Sequence, residues 1–519
     1  MRYILFPGRH HVLTQFQARY LTDLRAGLCT DTNGVPIEGV DDSEVIFAVT
    51  SWDQAGTRRN PLPGHRREAA IELFGRDIAL PVLVAPVPNV SPTPRFADVT
   101  INAVDVHTAG RVRLTPDNTI VACSSPEVSS LYADDGFRVA SVELDGDTLH
   151  ADRPWTLVEE LATTRSLEKL TNRLHPASSE ILSRYQLVDQ ISEIFSDPLL
   201  GEDGDLTETR DYITYGDSFD QGADRKFDLV RNLIRPGRIV DIGCGTGALL
   251  AKIAEAPELG ECDLFGLEAA RPLFEICEHR RTMGWFPNEN TFFYHRNVLN
   301  SPVLADASID TTITMALTHE VLSYGSHADV VAMAGRIFQH TRPGGVWLNA
   351  DVCGPADPNV VVEFDLATDD GVVDSKPDTP TASLDDVGGH LSALSTWSRW
   401  LRFVEDFRAH EGETNEWEPV STGTARAARR LLYEFLSKKD YPINWLSEMH
   451  ERFCTYTYDD WTALVEDAGF VIAAGSMPYR NDWIVENRWR PTCSIRSLEG
   501  APEDFGTTHI ILAAAVPNR

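Results

Sequence analysis

The stretch "DIGCGTG" at 241–247 sets an acidic residue, Asp241, ahead of glycines at Gly243, Gly245 and Gly247. Glycine at such positions lets the backbone approach a ligand closely and then turn into a helix. Glu268 ends the next apolar run, "DLFGLEAA", where a carboxylate is placed to accept hydrogen bonds from ribose hydroxyls. His319 and Glu320 follow the run "SIDTTITMAL". A histidine there titrates near neutral pH and suits a general base; the alternative is that it caps the next helix or bonds a loop carbonyl. Glu320 and Tyr324 read as pocket wall. A second strand-to-glycine turn, "LFPGRHHVLTQFQ", opens the chain with Gly8, Arg9, His10, His11, Thr14 and Gln17. Two such turns suggest two nucleotide sites.

The elements that must carry these residues can be read from periodicity. Residues 1–150 alternate short strands ("RYILF", "EVIFAVT", "LPVLVAPV", "TIVACS", "FRVASVEL") with helices, which predicts a parallel sheet covered on both faces. Residues 156–215 lack strand runs and read as a helical connector. Strand–helix alternation returns over 216–355, a loop rich in Asp, Gly, Pro, Ser and Thr spans 370–390, and 391–450 reads as helix with many aromatics. "YDDWTALVEDAGF" is then a helix, and "FVIAAGS" and "THIILAAAVP" are two closing strands. The expected fold class is α/β: two Rossmann-like doubly wound domains, 1–155 and 216–519. A helical connector lies between them, and a helical insertion at about 356–455 in the second domain forms a lid or acceptor pocket.

Composition narrows the function. The net charge of −32 disfavours nucleic acid and anionic membrane as partners. No apolar run reaches the roughly 20 residues that span a bilayer, and the N-terminus does not read as a signal peptide. The eight cysteines form no Cys-x-x-Cys pair, so they read as reduced thiols of a cytoplasmic protein, with no metal site. Only six of the 46 basic residues are lysines and none precedes Lys169. A phosphate cradle in the first 168 residues must therefore use arginine, helix N-termini and backbone N–H groups. The sequence leaves oligomeric state open.

The spacing Asp-x-Gly-x-Gly-x-Gly differs from the Gly-x-Gly-x-x-Gly of dinucleotide folds. It resembles motif I of the class I S-adenosylmethionine-dependent methyltransferases. "FFYHRNVLN" resembles the third strand of that family, with Asn297 and Val298 where adenine is contacted, and "TRPGGVWLNAD" resembles the fifth, entered by a Pro-Gly-Gly turn. The likeness covers about 220–355 and 455–519. It implies S-adenosylmethionine as cofactor, held by Asp241, Gly243, Gly245, Gly247, Glu268, Asn297 and Val298, with the transferable methyl near His319. Methyl transfer is an in-line displacement in which positioning matters most.

Residues 1–150 resemble the nicotinamide-mononucleotide adenylyltransferase branch of the nucleotidylyltransferase superfamily. Gly8 and Arg9 match the start of its G-R-F-x-P-x-H-x-G-H signature, and Thr14 falls on the first histidine. Ser51, Thr57, Asn60 and Pro61 match its second loop, Arg66 or Arg67 the arginine beyond, and Pro126, Val128 and Leu131 a later turn-helix. The resemblance implies a nucleoside triphosphate with magnesium, held by Gly8, Arg9, Thr14, Gln17, Asn60, Arg66 and Arg67. Two departures weaken it: Phe16 stands on a signature glycine, and Gln17 replaces the second histidine with an uncharged donor. No I-S-x-T-x-x-R motif follows residue 140; Arg153 stands in that region instead. His10 and His11 either compensate or are ordinary surface and core histidines.

Three readings follow. The first is a methyltransferase acting on a small, phosphorylated or nucleotide-linked metabolite, with an N-terminal nucleotide-binding domain. The second is a bifunctional nucleotidylyltransferase and methyltransferase. The third, an RNA methyltransferase with an accessory domain, is opposed by the charge and by the lack of a basic, aromatic-interleaved patch.

Overall fold

Short apolar runs without alternation are buried on both faces when they form central parallel strands. Five of them do so in the first part of the chain: β1 (Tyr3–Gly8), β2 (Glu44–Val49), β3 (Val82–Pro86), β4 (Thr119–Ala122) and β5 (Arg138–Ala140). They pair in parallel in the order β3-β2-β1-β4-β5. Helices α1 (Gln15–Arg25), α2 (Gly64–Asp77), α3 (Phe96–His107) and α4 (Pro126–Asp134) alternate with the strands, and a small hairpin, β6 (Leu144–Asp145) with β7 (Thr148–Leu149), follows. The computed structural model describes residues 2–39, 42–123, 125–142, 144–145, 148–197, 201–204, 212–298, 304–377 and 384–518.

The chain divides into two compact units, Met1–Gly204 and Asp205–Arg519. Helices α5 (Pro154–Thr164), α6 (Pro176–Arg184) and α7 (Leu187–Ser196) fall in the stretch expected as a connector. Their Leu157, Leu161, Ile181 and Ile191 share one apolar core with Ile4, Phe6 and Phe47 of the first sheet. These helices therefore belong to the first unit.

The second unit begins with α8 (Tyr212–Val230) and continues β8 (Arg238–Ile242), α9 (Ala248–Glu255), β9 (Asp263–Glu268), α10 (Arg271–Thr282) and β10 (Thr291–His295). Next come β11 (Ile309–Met315), α11 (Thr318–Tyr324), α12 (His327–His340) and β12 (Thr341–Val352). After β12 the chain runs through β13 (Val361–Leu366), α13 (Leu384–Ala393), α14 (Thr396–Asp406), β14 (Trp417–Ser421), β15 (Thr424–Ala428), α15 (Arg429–Lys438) and α16 (Trp445–Glu448). It closes with α17 (Tyr458–Asp467), β16 (Val471–Ile472), β17 (Met477–Tyr479), β18 (Cys493–Arg496), β19 (Pro502–Glu503) and β20 (His509–Ala515). The main sheet has the order β10-β9-β8-β11-β12-β20-β16, with β20 antiparallel to β12 and β16. Ile242 pairs with Leu267 of β9 and with Thr314 of β11. The carboxyl ends of these three strands are thus level at the point where strand order reverses, which is where open α/β sheets bind ligands.

The insertion after β12 is not all helical, as the sequence suggested. Strands β14-β15-β13-β18-β19 form a separate antiparallel sheet, and its last two strands come from 493–503, beyond the expected insertion. In β13 Val362, Phe364 and Leu366 point into the core, while outward Glu363 accepts from Arg426 at 2.7 Å and Arg496 at 2.9 Å. In β15 the inward residues are Ala425 and Ala427. Small alanines beside charged residues give β15 an alternating pattern with almost no apolar signal, so that strand was hidden. The expected aromatics do form the core here: Trp397, Trp400, Phe403, Phe407, Tyr433, Phe435 and Trp445 are buried together.

Candidate active site

At the end of β8 the chain must reverse direction within five residues. Gly243, Gly245 and Gly247 all adopt positive φ, at 69°, 58° and 75°. A Cβ on Gly243 would also lie 2.8 Å from Leu317, so both conformation and space exclude a side chain. Glu268, at the end of β9, reaches across this turn. Its carboxylate accepts from the Gly245 N–H and the Ala270 N–H, each at 2.8 Å. Burial pushes its pKa up to about 7 against the pull of those amides. Asp241 is buried too and is pushed up to about 7, with Lys226 pulling it back. Lys226, from α8, lines the cleft with Asp241, Gly243, Cys244, Ala248, Leu249 and Met315. On the far side the Thr246 hydroxyl donates to Asp220 at 2.9 Å, and Asp220 is held by Arg280 at 2.6 Å. Asn297 and Val298 lie half-buried just beyond β10, whose His295 pairs with Glu268.

The loop after β11 runs into α11, which carries His319 and Glu320. His319 is 6% exposed. Its Nδ1 donates to Asp351 Oδ1 at 2.6 Å, its backbone N–H donates to Asp351 Oδ2 at 3.1 Å, and its Nε2 lies 3.5 Å from Glu451 Oε2. Burial opposes charge on the ring, yet the Asp351 and Glu451 carboxylates hold its pKa well above the usual histidine range. The ring thus stands between two carboxylates, Asp351 on Nδ1 and Glu451 near Nε2, and does not bond a loop carbonyl. Tyr324 donates its hydroxyl to Glu451 Oε1 at 3.3 Å and lies 3.0 Å from the Ser447 hydroxyl.

Glu451 reaches this site from the insertion, and the insertion core fixes the loop that carries it. Buried Glu434 accepts from the N–H groups of Phe453 (2.9 Å) and Cys454 (2.7 Å) and pairs with buried Lys438. The Lys438 ammonium sits 3.7 Å from the centre of the Phe453 ring. Arg408 donates to the carbonyls of Ser323 and His450. Sequence reasoning missed Lys226, Asp351 and Glu451. Asp351 sits at the end of a recognised strand and was accessible to it. Glu451 comes from a separately folded insertion, and no local pattern links it to His319.

The first turn is organised differently. Thr14 caps α1: its hydroxyl accepts from the Gln17 N–H at 3.0 Å, and Gln17 Oε1 accepts from the Thr14 N–H at 3.2 Å. Arg67 is fully buried and donates to the carbonyls of Arg9 (3.0 Å), Thr50 (2.9 Å) and Ser51 (2.7 Å). Burial and the nearby Arg9 charge bring its pKa down to about 10. Arg66 stacks on the Tyr185 ring. The Asn60 N–H donates to the Thr57 hydroxyl at 3.0 Å. His10 is buried, donates Nε2–H to the Phe6 carbonyl at 3.0 Å and packs against Phe6 and Phe47. His11 is likewise buried, so both are core histidines. Phe16 stacks on His150 at 4.0 Å. Arg9 alone of these is exposed, beside Arg59, Asp203 and Glu202.

Residues 239–345, within the second unit, match a protein-family profile described as a methyltransferase domain. No curated protein matches the chain. Similar solved structures include a chain of the complex between the Haloferax volcanii Trm112 methyltransferase activator and a methyltransferase (11% identity, 60% of this chain and 99% of that one, TM-score 0.31). The YcgJ protein of Bacillus subtilis is similar at 12% identity, over 59% of this chain and 100% of its own, with TM-score 0.29. The geranyl diphosphate C-methyltransferase of Streptomyces coelicolor is similar at 8% identity, over 56% and 77%, with TM-score 0.30. At such scores these likenesses carry no argument about substrate or mechanism. No described helix is long and apolar enough to cross a membrane.

Proposed function

We propose that the chain is an S-adenosylmethionine-dependent methyltransferase acting on a small, phosphorylated or nucleotide-linked metabolite. The observation that carries this reading is the cleft lined by Lys226, Asp241, Gly243 and Cys244 at the end of β8, with the Glu268 carboxylate bonded to the Gly245 N–H of the same turn. The cleft fits the cofactor: Gly243, at positive φ, and the Lys226 and Asp241 side chains line it, and behind the same turn Glu268 is a buried carboxylate of the type that takes ribose hydroxyls. S-adenosylmethionine, when bound, supplies an electrophilic methyl group. Glu268 would hold its ribose, Asn297 and Val298 its adenine, and Lys226 its carboxylate. Enclosing the acceptor between α11 and the loop of Glu451 excludes water and sets the line of attack. Calorimetry with S-adenosylmethionine tests the reading: micromolar binding is expected, with at least tenfold loss in Glu268→Ala, and no binding by the folded native chain would overturn it.

For the first unit we propose ligand binding without nucleotidyl transfer. Its turn does not fit a nucleoside triphosphate with magnesium, because Thr14, Gln17 and Arg67 are spent on the protein's own backbone. Exposed Arg9 is the charge that supports binding of a phosphorylated ligand. Pyrophosphate release from any nucleoside triphosphate by the full chain would refute this.

A further inference from the structure

The side chains of His319, Glu320 and Glu451 bring one ligand atom each to within 4.8 Å of one another. They come from two parts of the unit, the first turn of α11 and the insertion loop after α16. We propose that these three residues form a binding site for one divalent cation on the acceptor side of the cofactor cleft, which seats an acceptor through an anionic oxygen.

The geometry is close to what an ion requires. Ligands at about 2.0–2.2 Å from a metal lie at most roughly 4.4 Å apart, so the observed span closes with small side-chain movements. His319 is already oriented as metal-bound histidines are. Its Nδ1–H is taken by Asp351 at 2.6 Å, which fixes the ring and aims Nε2 into the cluster, where Glu451 Oε2 stands 3.5 Å away. A carboxylate behind a ligating imidazole is the common supporting arrangement. Asp351 is itself anchored by the Thr318 hydroxyl at 2.5 Å. Glu451 is 2% exposed, and a cation between it, Glu320 and Nε2 would offset the cost of holding two carboxylates in a buried cluster.

One imidazole nitrogen and two carboxylates suit Mn²⁺, Fe²⁺ or Zn²⁺ better than a soft cation. Three protein ligands leave positions open for a substrate oxygen, as in catalytic metal sites. The cluster also has the right neighbours, since Glu320 lies near enough to Glu268 and Lys226 to act on both electrostatically. The acceptor role rests on the methyltransferase reading; the cation site does not.

Electron paramagnetic resonance of the full chain titrated with Mn²⁺ tests the proposal, with S-adenosylmethionine binding followed separately by calorimetry. One bound Mn²⁺ per chain is expected, with nitrogen modulation of the spin echo from His319. Glu451→Gln and Glu320→Gln preserve shape and should each weaken Mn²⁺ at least tenfold; the second alters a half-buried residue and is the safer variant for folding. A chain that binds S-adenosylmethionine but neither Mn²⁺ nor, by calorimetry, Zn²⁺ would overturn the site alone. Mn²⁺ binding that neither variant changes would overturn it too, by locating the ion elsewhere. A bound Mn²⁺ lost in both variants, in a chain that ignores S-adenosylmethionine, would uphold the site and remove the methyltransferase reading.

Discussion

The two units place a glycine turn after the central strand of a parallel sheet, β1 in one and β8 in the other, and strands follow in the same order on either side. What differs is where the polar groups of each turn are directed. After β1, Thr14 and Gln17 satisfy each other's backbone N–H groups and Arg67 satisfies carbonyls. After β8, Glu268 likewise accepts from the Gly245 and Ala270 amides, but Lys226 and Asp241 line a cleft beside the turn. Residue types and spacing suggest chemistry at both turns; the second also lies beside a cleft that Lys226 and Asp241 line. A site is therefore judged by whether ionisable side chains line open space, not by the motif alone.

The largest effect should come from filling the second turn. In Gly245→Arg a long side chain enters a position of φ 58° whose N–H serves Glu268. S-adenosylmethionine affinity should fall at least 100-fold by calorimetry, while circular dichroism keeps its native form. Retained affinity would mean that this turn takes no part in binding the cofactor.

Next is Arg67→Met, which attacks the first turn where it is structural. The thioether matches much of the buried volume but leaves the carbonyls of Arg9, Thr50 and Ser51 without their donor. Charge-assisted bonds to buried groups are worth about 1.5–3 kcal/mol each, offset in part by relief of guanidinium desolvation. A net loss of about 3 kcal/mol should appear in urea unfolding of the first unit, with S-adenosylmethionine binding unchanged. A stable Arg67→Met chain that loses only ligand affinity would restore Arg67 as a phosphate residue.

How much of this was legible in the sequence varied with the kind of signal. Strands β8, β9, β11 and β12 are rich in apolar and β-branched residues, β8 runs into Gly243 and β9 ends at Glu268, and their alternation with helices already implies a parallel sheet. Thr14 and Gln17 were legible twice over. Thr-x-x-Gln is both part of a degenerate phosphate signature and the capping-box pattern of a helix start, and the local geometry took the second meaning. β15 was not legible, because threonine, arginine and alanine alternate there, whereas β13 alternates Val362, Phe364 and Leu366 with Glu363 and Asp365, a strand signal that the helical reading of the insertion passed over. Glu451 could not be linked to His319, since its position depends on Glu434 and Lys438 holding the intervening loop.

A smaller effect should follow Thr14→Ala. An N-cap hydroxyl is worth about 1 kcal/mol, and α1 would lose that much in urea unfolding. Ligand binding at Arg9 should not change, whereas a phosphate role for Thr14 would weaken it with little loss of stability.

The smallest predicted effect is a pH dependence that the first turn should not share. Burial raises the Glu268 pKa to about 7, so the unliganded cleft holds a carboxyl that is mostly protonated at pH 6.5 and mostly ionised at pH 7.5. In its own contribution to stability, a raised carboxyl favours the fold most below its unfolded pKa, near 4.5, and that advantage is lost as pH rises through about 7. Ribose hydroxyls donate to the ionised form, so cofactor binding pulls the equilibrium the other way and releases a proton. S-adenosylmethionine affinity should therefore rise about threefold from pH 6.5 to 7.5, as expected for a single group titrating near the middle of that range. Glu268→Gln should bind more weakly and with a reduced slope; any slope that persists belongs to Asp241, also raised to about 7, and should vanish in the double variant with Asp241→Asn. Calorimetry in two buffers of different ionisation enthalpy would count the released proton directly. An affinity flat across this interval in the native chain would show that Glu268 enters the complex already ionised, its charge held by the Gly245 and Ala270 amides.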